Sequence, residues 1–334
     1  MTTLWDTTGT AVVKALSAER RLAGAVSSGL ALTLVVVVEE KRVAEAEAAA
    51  TRAAAQHPCR LLVVVRRRPK EPEPRLDAEV LIGGRLGPGE AVVMRMYGRL
   101  AVHAESVVLP LLASDAPVVT WWYGEPPQLI AHDPLGVFAD RRVTDSALSP
   151  DPVAALRTRS QDYVPGDTDL AWTRITAWRA LCASAFDSAT GLVQSMQVVG
   201  APDDASRSLL AGWLTARLGL TCEMVDHAGR DRADGISEVT IELDDCTLHL
   251  ARRDARTVTL TRTDQPDRIL PFPQRSLGDL LAEELQRLDP DQAYAQALAC
   301  ATGVPPAPDQ PAVRTHVWHD PLESPHPDPG LALS

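Results

Sequence analysis

The sequence predicts an α/β fold made of two domains with mixed sheets. At 334 residues the chain is longer than one hydrophobic core usually allows. Each half contains a strand–helix–strand pattern, which is typical of two parallel strands joined by a helix. In each half this unit is followed by antiparallel strands and then a helix. The shared order also predicts that the two domains are related by an ancient duplication.

The first half begins with apolar residues at helical spacing over residues 9–27. Continuous β-branched runs at residues 30–38 and 60–65 predict two fully buried strands. Residues 39–56, which lie between those strands, are rich in alanine and glutamate and favour a helix. Together these segments predict a helix followed by a parallel strand pair.

The remainder of the first half is predicted to be a hairpin, a helix and a strand. The hairpin has strands at residues 77–85 and 90–99 around Gly87-Pro88-Gly89. These glycines do not form a phosphate-binding loop, because a strand follows them and no Lys-Ser/Thr pair closes the loop. The helix is expected at residues 103–113 and the strand at residues 117–122.

The second half has the same element types in a similar order. Helices are predicted at residues 170–186, 205–218, 277–288 and 292–301, and strands at residues 193–199, 221–225, 238–244, 247–251 and 257–261.

The element pattern divides the chain into two domains and a tail. The N-terminal α/β domain is expected at residues 1–165 and the C-terminal α/β domain at residues 166–303. Residues 304–334 are rich in Pro, Asp and His without periodicity, which is typical of a flexible tail. The histidines of this tail lack a helix and a third ordered ligand, so we expect no metal site.

The composition of the chain excludes several classes of function. A net charge of −11 argues against a nucleic-acid binder, which needs accumulated positive charge. The longest apolar run is too short to span a bilayer, and no secretion signal is visible, so a cytoplasmic protein without a membrane role is expected. Five scattered cysteines indicate neither a disulfide framework nor a zinc site. No pattern indicates whether the chain associates with itself.

Three blocks in the centre of the chain carry the candidate binding residues. The segments are Trp121-Trp122-Tyr123, then Asp140-Arg141-Arg142-Val143-Thr144-Asp145-Ser146, then Pro165-Gly166-Asp167-Thr168-Asp169-Leu170-Ala171-Trp172-Thr173-Arg174. Four of the seven tryptophans fall between residues 120 and 187, although only 4% of the chain is aromatic. Trp and Arg dominate the energetics of protein interfaces, so this region is the candidate for partner or anion binding.

The first two blocks each allow two interpretations. Side chains alternate along a strand, so one of Trp121 and Trp122 could pack inward while the other faces a cleft; both could instead belong to the core. The guanidinium groups of Arg141 and Arg142 could bind an anion, with Asp140 and Asp145 nearby. Alternatively, these residues form a surface salt-bridge cluster, which contributes little to stability.

The third block predicts a helix start with a charged residue on its inner face. Asp167, Thr168 or Asp169 can serve as the N-cap of the helix. Arg174 falls at the edge of the apolar stripe and needs a partner there, either Asp145, Asp167 or a bound anion. Arg179 is expected on a different side of the helix, where substitution has little effect.

No catalytic constellation is visible in the sequence. It contains no Ser-His-Asp order, Gly-x-Ser-x-Gly elbow or Cys-x-x-Cys pair. The Gly-x-Gly-x-x-Gly fingerprint of dinucleotide binding is missing after the strand at residues 30–38. We therefore expect no catalytic residue, no cofactor and no metal.

The three central blocks, in this order, resemble the glucose-6-phosphate dehydrogenase assembly protein (OpcA) family, and the resemblance extends over about residues 1 to 303. It implies a non-catalytic assembly factor and allosteric activator. Its partner would be glucose-6-phosphate dehydrogenase, the first enzyme of the oxidative pentose phosphate pathway. The alternative is a sugar-phosphate-binding protein or enzyme that uses a cleft near Trp122.

Overall fold

A computed structural model describes residues 1–23, 30–68, 72–83, 89–187, 189–227 and 235–305. The described chain divides into two compact units. Among the described residues, unit 1 consists of residues 1–123 and 132–139, and unit 2 consists of residues 124–131 and 140–305. The boundary expected at residue 165 therefore lies inside unit 2. The reason is a pairing of strands that the sequence pattern did not reveal: residues 141–144 pair with residues 167–169.

Unit 1 contains six strands in the order β1-β4-β5-β3-β2-β6. Their bounds are β1 Thr2–Leu4, β2 Leu32–Val38, β3 Cys59–Arg67, β4 Arg75–Ile82, β5 Glu90–Tyr97 and β6 Val118–Tyr123. Strand β2 is parallel to both β3 and β6, whereas β4 is antiparallel to β5 and β1. The predicted parallel pair and hairpin are confirmed; most of the turn of the hairpin (84–88) lies outside the described residues.

The helices of unit 1 follow their local sequence signals. Helix α1 (Gly9–Leu22) is capped by the Thr8 side chain, and the end predicted for it, at residue 27, lies outside the described residues. Helix α2 (Val43–Gln56) follows a short 3-10 turn at Glu40–Arg42. Five of its eight alanines (Ala46, Ala49, Ala50, Ala53 and Ala54) are buried, as expected for a helix that crosses between two parallel strands.

The helix predicted at residues 103–113 is wrong. The segment forms only one short helix, α4 (Glu105–Val108), followed by a 3-10 turn at Leu109–Leu111, and a separate short helix, α3 (Arg99–Val102), precedes it. Pro110 has no backbone N–H and its ring collides with the preceding turn, so a continuous helix cannot pass through this position.

Unit 2 contains a parallel strand pair and a six-stranded sheet. The pair is β7 (Arg141–Thr144) with β8 (Asp167–Asp169). The sheet has the order β10-β9-β11-β12-β13-β14, with bounds β9 Val193–Gly200, β10 Glu223–Asp226, β11 Ile236–Leu243, β12 Thr247–Arg252, β13 Thr257–Arg262 and β14 Arg268–Pro271. Strands β9 and β10 are parallel and the others antiparallel. The predicted α/β class with mixed sheets is confirmed; the duplication stays a prediction.

The helices of unit 2 are α5 Pro152–Gln161, α6 Leu170–Arg174, α7 Thr176–Phe186, α8 Ala205–Leu218, α9 Leu277–Gln286 and α10 Gln292–Thr302. The sequence patterns missed α3 and α5, together with β1, β7, β8 and β14. They also predicted one helix at residues 170–186 where the structure has two. Ile175 (φ −89°, ψ 5°) interrupts that helix, and its N–H bonds to the carbonyl of Trp172.

One face of the six-stranded sheet and the helices packed against it form the core of unit 2. Met196, Val198 and Val239 of the sheet are buried together with Leu209 and Leu210 of α8. Helix α10 lies so close to α8 that a Cβ on Gly212 would come within 2.2 Å of the carbonyl oxygen of Ala297. Over the part of the chain described here, no helix is both long and apolar enough to cross a membrane.

Candidate functional site

The Trp121-Trp122-Tyr123 block lies at the end of β6 in unit 1. Trp121 and Trp122 are both buried, which agrees with the interpretation that both belong to the core. The ring centroids of Trp121 and Tyr123 are 5.0 Å apart. The Tyr123 hydroxyl donates a hydrogen bond of 2.7 Å to Glu45 Oε2. None of these three side chains is exposed, so they do not form a binding surface.

Arg141 starts β7 and is buried inside unit 2 rather than exposed in a surface cluster. Its Nε donates to Glu284 Oε2 at 3.1 Å, and its Nη2 bonds to the same oxygen. Its Nη1 donates to the carbonyl of Asp289 at 3.0 Å. The guanidinium is therefore held by a carboxylate that lies 143 residues away in sequence, on α9.

Arg142 is buried against Asp167, the first residue of β8. The two side chains form an ion pair, and Arg142 Nη2 also donates to the carbonyl of Pro165 at 2.9 Å. Burial raises the pKa of the Asp167 carboxyl, and the charge of Arg142 opposes that rise. Because the pair is desolvated, removal of either partner would leave an uncompensated buried charge.

Gly166 allows this arrangement, and Asp140 lies beside it. Gly166 has φ +101°, a conformation that L side chains rarely adopt, and its carbonyl accepts from Arg142 N at 2.9 Å. A Cβ at this position would come within 2.5 Å of the Asp140 carbonyl oxygen. The Asp140 backbone therefore contributes to the turn, and its side chain is half-buried.

Asp169 ends β8 and caps helix α6. Its carboxylate accepts from Ala171 N at 2.9 Å, as expected for an N-cap. It also accepts from the hydroxyl of Thr144 at 2.7 Å, and from the hydroxyl and the N–H of Ser146 at 2.6 Å and 3.0–3.1 Å. Asp169 is wholly buried, so these donors replace the water that the carboxylate loses on folding.

Arg174 pairs with Asp145, one of the partners that the sequence suggested. Both contacts are short: Nη1 to Oδ1 is 2.5 Å and Nη2 to Oδ2 is 2.6 Å. Burial raises the pKa of Asp145, and the bonds from Arg174 oppose that rise. Burial also opposes the charge on Arg174, but its bonds to Asp145 outweigh this effect and raise its pKa.

Trp172 is buried among side chains of unit 2. Its indole N–H donates to Asp291 Oδ2 at 2.9 Å, and its ring centroid is 5.9 Å from that of Tyr294. The guanidinium carbon of Arg179 lies 3.6 Å from the Trp172 ring centroid. The expectation that Arg179 lies where substitution has little effect is therefore wrong, because its guanidinium contacts the buried Trp172 ring.

The charged residues of the central region thus bind each other. Glu284 and Asp291, which supply two of the partners, were missed because nothing in sequence links them to residues 141–172. Among the described residues, no group of three or more His, Cys, Asp and Glu side chains is arranged to hold a metal ion. The arrangement gives unit 2 a buried, hydrogen-bonded polar interior.

Two clefts open in unit 2 next to this interior. The first has a volume of about 350 Å³ and is lined by Gly124, Asp145, Ser149 and Arg159, among others. Its first lining residue, Gly124, comes two residues after Trp122, and Trp122 itself does not line the cleft. The second has a volume of about 330 Å³, and Arg174, Trp178, Arg252 and Phe272 lie in its wall.

The fold and the site define an α/β protein of two units. The charged side chains in its central region pair with other groups of the same chain. Two consecutive segments match known family descriptions: residues 50–161 match the glucose-6-phosphate dehydrogenase subunit N-terminal domain, and residues 165–298 match the corresponding C-terminal domain. The chain belongs to the glucose-6-phosphate dehydrogenase assembly protein (OpcA) family.

Individual proteins are also similar to this chain. An OxPP cycle protein OpcA from Synechococcus elongatus is 29% identical over 225 residues, which are 64% of this chain. The match spans about half (47%) of that relative.

Among solved structures, an oxidoreductase from Sinorhizobium meliloti aligns with a TM-score of 0.42 and 11% identity, covering 80% of this chain and 86% of the other. UDP-N-acetylglucosamine 3-dehydrogenase GnnA from Acidithiobacillus ferrooxidans aligns with a TM-score of 0.40 and 11% identity, covering 82% and 96%. TM-scores this low carry no argument about activity.

Proposed function

We propose that this chain is a non-catalytic assembly factor and allosteric activator that binds glucose-6-phosphate dehydrogenase and so supports the oxidative pentose phosphate pathway. The observation that carries the proposal is the pair of consecutive family matches over residues 50–161 and 165–298. The relative from Synechococcus elongatus, described as an OxPP cycle protein, supports the same pathway.

The pairing of the central charged groups supports a non-catalytic role. A general acid or base must reach a substrate proton, and a nucleophile needs a neighbouring base. Here Asp145, Asp167 and Asp169 accept hydrogen bonds from Arg174, Arg142 and Ser146, respectively. Those bonds hold the carboxylates as structural groups in the interior of unit 2.

Activation would follow from differential affinity. A binding protein shifts a conformational or assembly equilibrium of its partner only by as much as it prefers one state over the other. We therefore infer that this chain binds the active form of the dehydrogenase more tightly than the inactive form.

We place the contact with the dehydrogenase at the second cleft of unit 2. Arg174 is one of the central residues, and 31% of its side chain is exposed. It lies in the wall of this cleft. Arg252 and Phe272 lie in the same wall, with the Arg252 guanidinium carbon 5.3 Å from the Phe272 ring centroid. Arginine and aromatic side chains are the types that dominate interface energetics.

The test is an assay of glucose-6-phosphate dehydrogenase from the same organism across substrate concentrations, with and without this protein. We expect a higher rate when the protein is present, and comigration of the two proteins on size exclusion. The protein alone should transfer no hydride to either nicotinamide cofactor. Hydride transfer that persists after removal of contaminating dehydrogenase, or an unchanged rate together with separate elution, would overturn the proposal.

A further inference from the structure

The six-stranded sheet of unit 2 buries one of its two faces. Side chains alternate between the faces along each strand. In β13, Val258 and Leu260 are buried in the core, whereas Thr257, Thr259 and Thr261 on the opposite side are not buried. The same alternation runs through β9, β11 and β12. The face opposite the core is called the outer face below.

The strand register arranges the residues of the outer face in rows that cross the sheet. The first row takes one residue from each strand and consists of Val225, Val199, Glu238, Ala251, Thr259 and Ile269. The second row consists of Glu223, Gln197, Thr240, His249 and Thr261. The third row includes Ser195, Glu242 and Thr247. None of these side chains is buried.

The outer face is large enough for a protein interface. Six strands at a spacing of about 4.8 Å, each with about six residues rising about 3.4 Å, cover about 600 Å² in projection. Stable interfaces bury about 1,200–2,000 Å² in total, which is at least about 600 Å² on each partner. Side chains offer more surface than the projection of the sheet, so a second sheet packed face to face would reach this range.

Charge divides the outer face into two halves. The acidic half, formed by β10, β9 and β11, carries Glu223, Glu238 and Glu242. The threonine-rich half, formed by β12, β13 and β14, also carries Ala251 and His249, and its described strand residues include no carboxylate on this face. A partner that sets the acidic half against the threonine-rich half therefore avoids contacts between like charges.

A second copy of the chain supplies this match through a two-fold axis that runs along the strands, between β11 and β12. Rotation about this axis places β11 of one copy against β12 of the other, and β10 against β14. Glu238 then faces Ala251 of the second copy, and Val225 faces Ile269. A two-fold axis across the strands would instead bring Glu238 to Glu242 of the second copy, so the charges favour the first axis.

We infer that the outer face joins two copies of the chain in a two-fold symmetric dimer. The acidic half of each copy packs on the threonine-rich half of the other, in the aligned arrangement that is common for two packed sheets. Ile269, which is 58% exposed in the single chain, loses contact with water in the dimer. The inference goes beyond the proposed activator role and does not depend on it, because the outer face belongs to unit 2 and no dehydrogenase takes part.

Sedimentation velocity of the full chain tests the inference without any dehydrogenase. The concentrations run from about 0.1 to 100 μM, which covers dissociation constants around the micromolar scale. We expect the average mass to rise from that of one chain towards that of two chains across this range.

Three substitutions locate the interface and its symmetry. Ala251→Glu puts a carboxylate opposite Glu238 of the second copy and should weaken the dimer about tenfold or more. Ala251→Arg puts a cation of similar length at the same position, so its dimer should be about tenfold tighter than that of Ala251→Glu. Ala154→Glu is the matched control, because it adds the same charge at an exposed position of α5, outside the sheet, and should change the dissociation constant less than about twofold. Thermal melting checks that each variant is folded.

Three outcomes would overturn the inference. A chain that stays monomeric over the whole concentration range has no such interface. A dimer that Ala251→Glu leaves intact uses another surface, and a dimer that Glu and Arg at this position weaken equally lacks the inferred axis. Because no dehydrogenase is present, these failures leave the activator proposal standing, and a failed activation assay leaves the dimer standing.

Discussion

Asp145 and Arg174 form a two-bond ion pair that joins the linings of the two clefts of unit 2. Asp145 lines the first cleft and Arg174 lines the second. The side chain of Asp145 is wholly buried, whereas 31% of the Arg174 side chain is exposed. The pair therefore connects a buried acceptor with a group that a partner can touch, and a change at Arg174 affects both stability and the surface.

Replacing Arg174 with alanine should cost about 3–5 kcal/mol of unfolding free energy, the scale for breaking a buried pair. The cost arises because Asp145 would keep its charge without a partner. The double variant Arg174→Ala/Asp145→Asn should recover a large part of the loss, since the stranded charge is gone. Urea unfolding measures both. An Arg174→Ala variant with an unchanged midpoint would show that the pair does not contribute to stability.

Replacing Arg179 with alanine should cost about 1 kcal/mol, because its guanidinium lies over the Trp172 ring. Burial lowers the pKa of Arg179, and the residue is half-buried. Arg157→Ala, on the exposed side of α5, is the control and should stay within about 0.5 kcal/mol. Thermal melting compares the two variants. Equal melting temperatures would refute a stabilising contact between Arg179 and Trp172.

Asp162 should make the stability of the protein depend on pH. Burial, with a further contribution from the charge of Asp167, raises the pKa of its carboxyl from 3.8 to about 6. The folded state then binds the proton more tightly than the unfolded state does. The stabilisation is fully present below pH 3.8 and is lost as the pH rises through about 6.

The Asp162→Asn variant isolates this effect, because asparagine keeps an acceptor for Ile130 N but does not titrate. Relative to the original protein, the variant should gain up to about 3 kcal/mol of unfolding free energy between about pH 4 and pH 7. Denaturant unfolding across that range measures the difference. A constant difference, or one that shrinks with rising pH, would contradict the assigned shift.

The buried thiols should be inert at neutral pH. Burial raises the pKa of Cys59, Cys182 and Cys222 to about 12, and the neighbouring Cys222 adds to the rise at Cys182. The reactive thiolate is therefore scarce. In the folded protein, iodoacetamide should modify exposed Cys300 and spare these three, as measured by mass spectrometry.

The same reasoning predicts that activation of the dehydrogenase does not depend on thiol redox state. The assay is run on protein treated with dithiothreitol or with diamide, and a Cys246→Ser/Cys300→Ser variant removes the two thiols that are not buried. Equal activation is expected throughout. A redox effect that survives in this variant would show that a buried cysteine reacts.

The sequence by itself determined the features that depend on neighbouring residues. The apolar runs of β2 and β3 are strands because a continuous β-branched run suits burial on both faces. Helix α8 runs over the predicted residues 205–218 because Asp204 caps its start and Gly219, at φ +75°, ends it. The Asp167-Thr168-Asp169 segment was likewise recognisable as a helix start from its residue types.

Only the tertiary structure decided how the central charges are paired and where the clefts lie. Arg141 meets Glu284, and Trp172 meets Asp291 from a distance of 119 residues in sequence. Such contacts form because desolvated charges and indole N–H groups need partners wherever packing can supply them, and no local pattern records which residue that is. The break at Ile175 was likewise absent from the sequence pattern, because no Gly or Pro marks it.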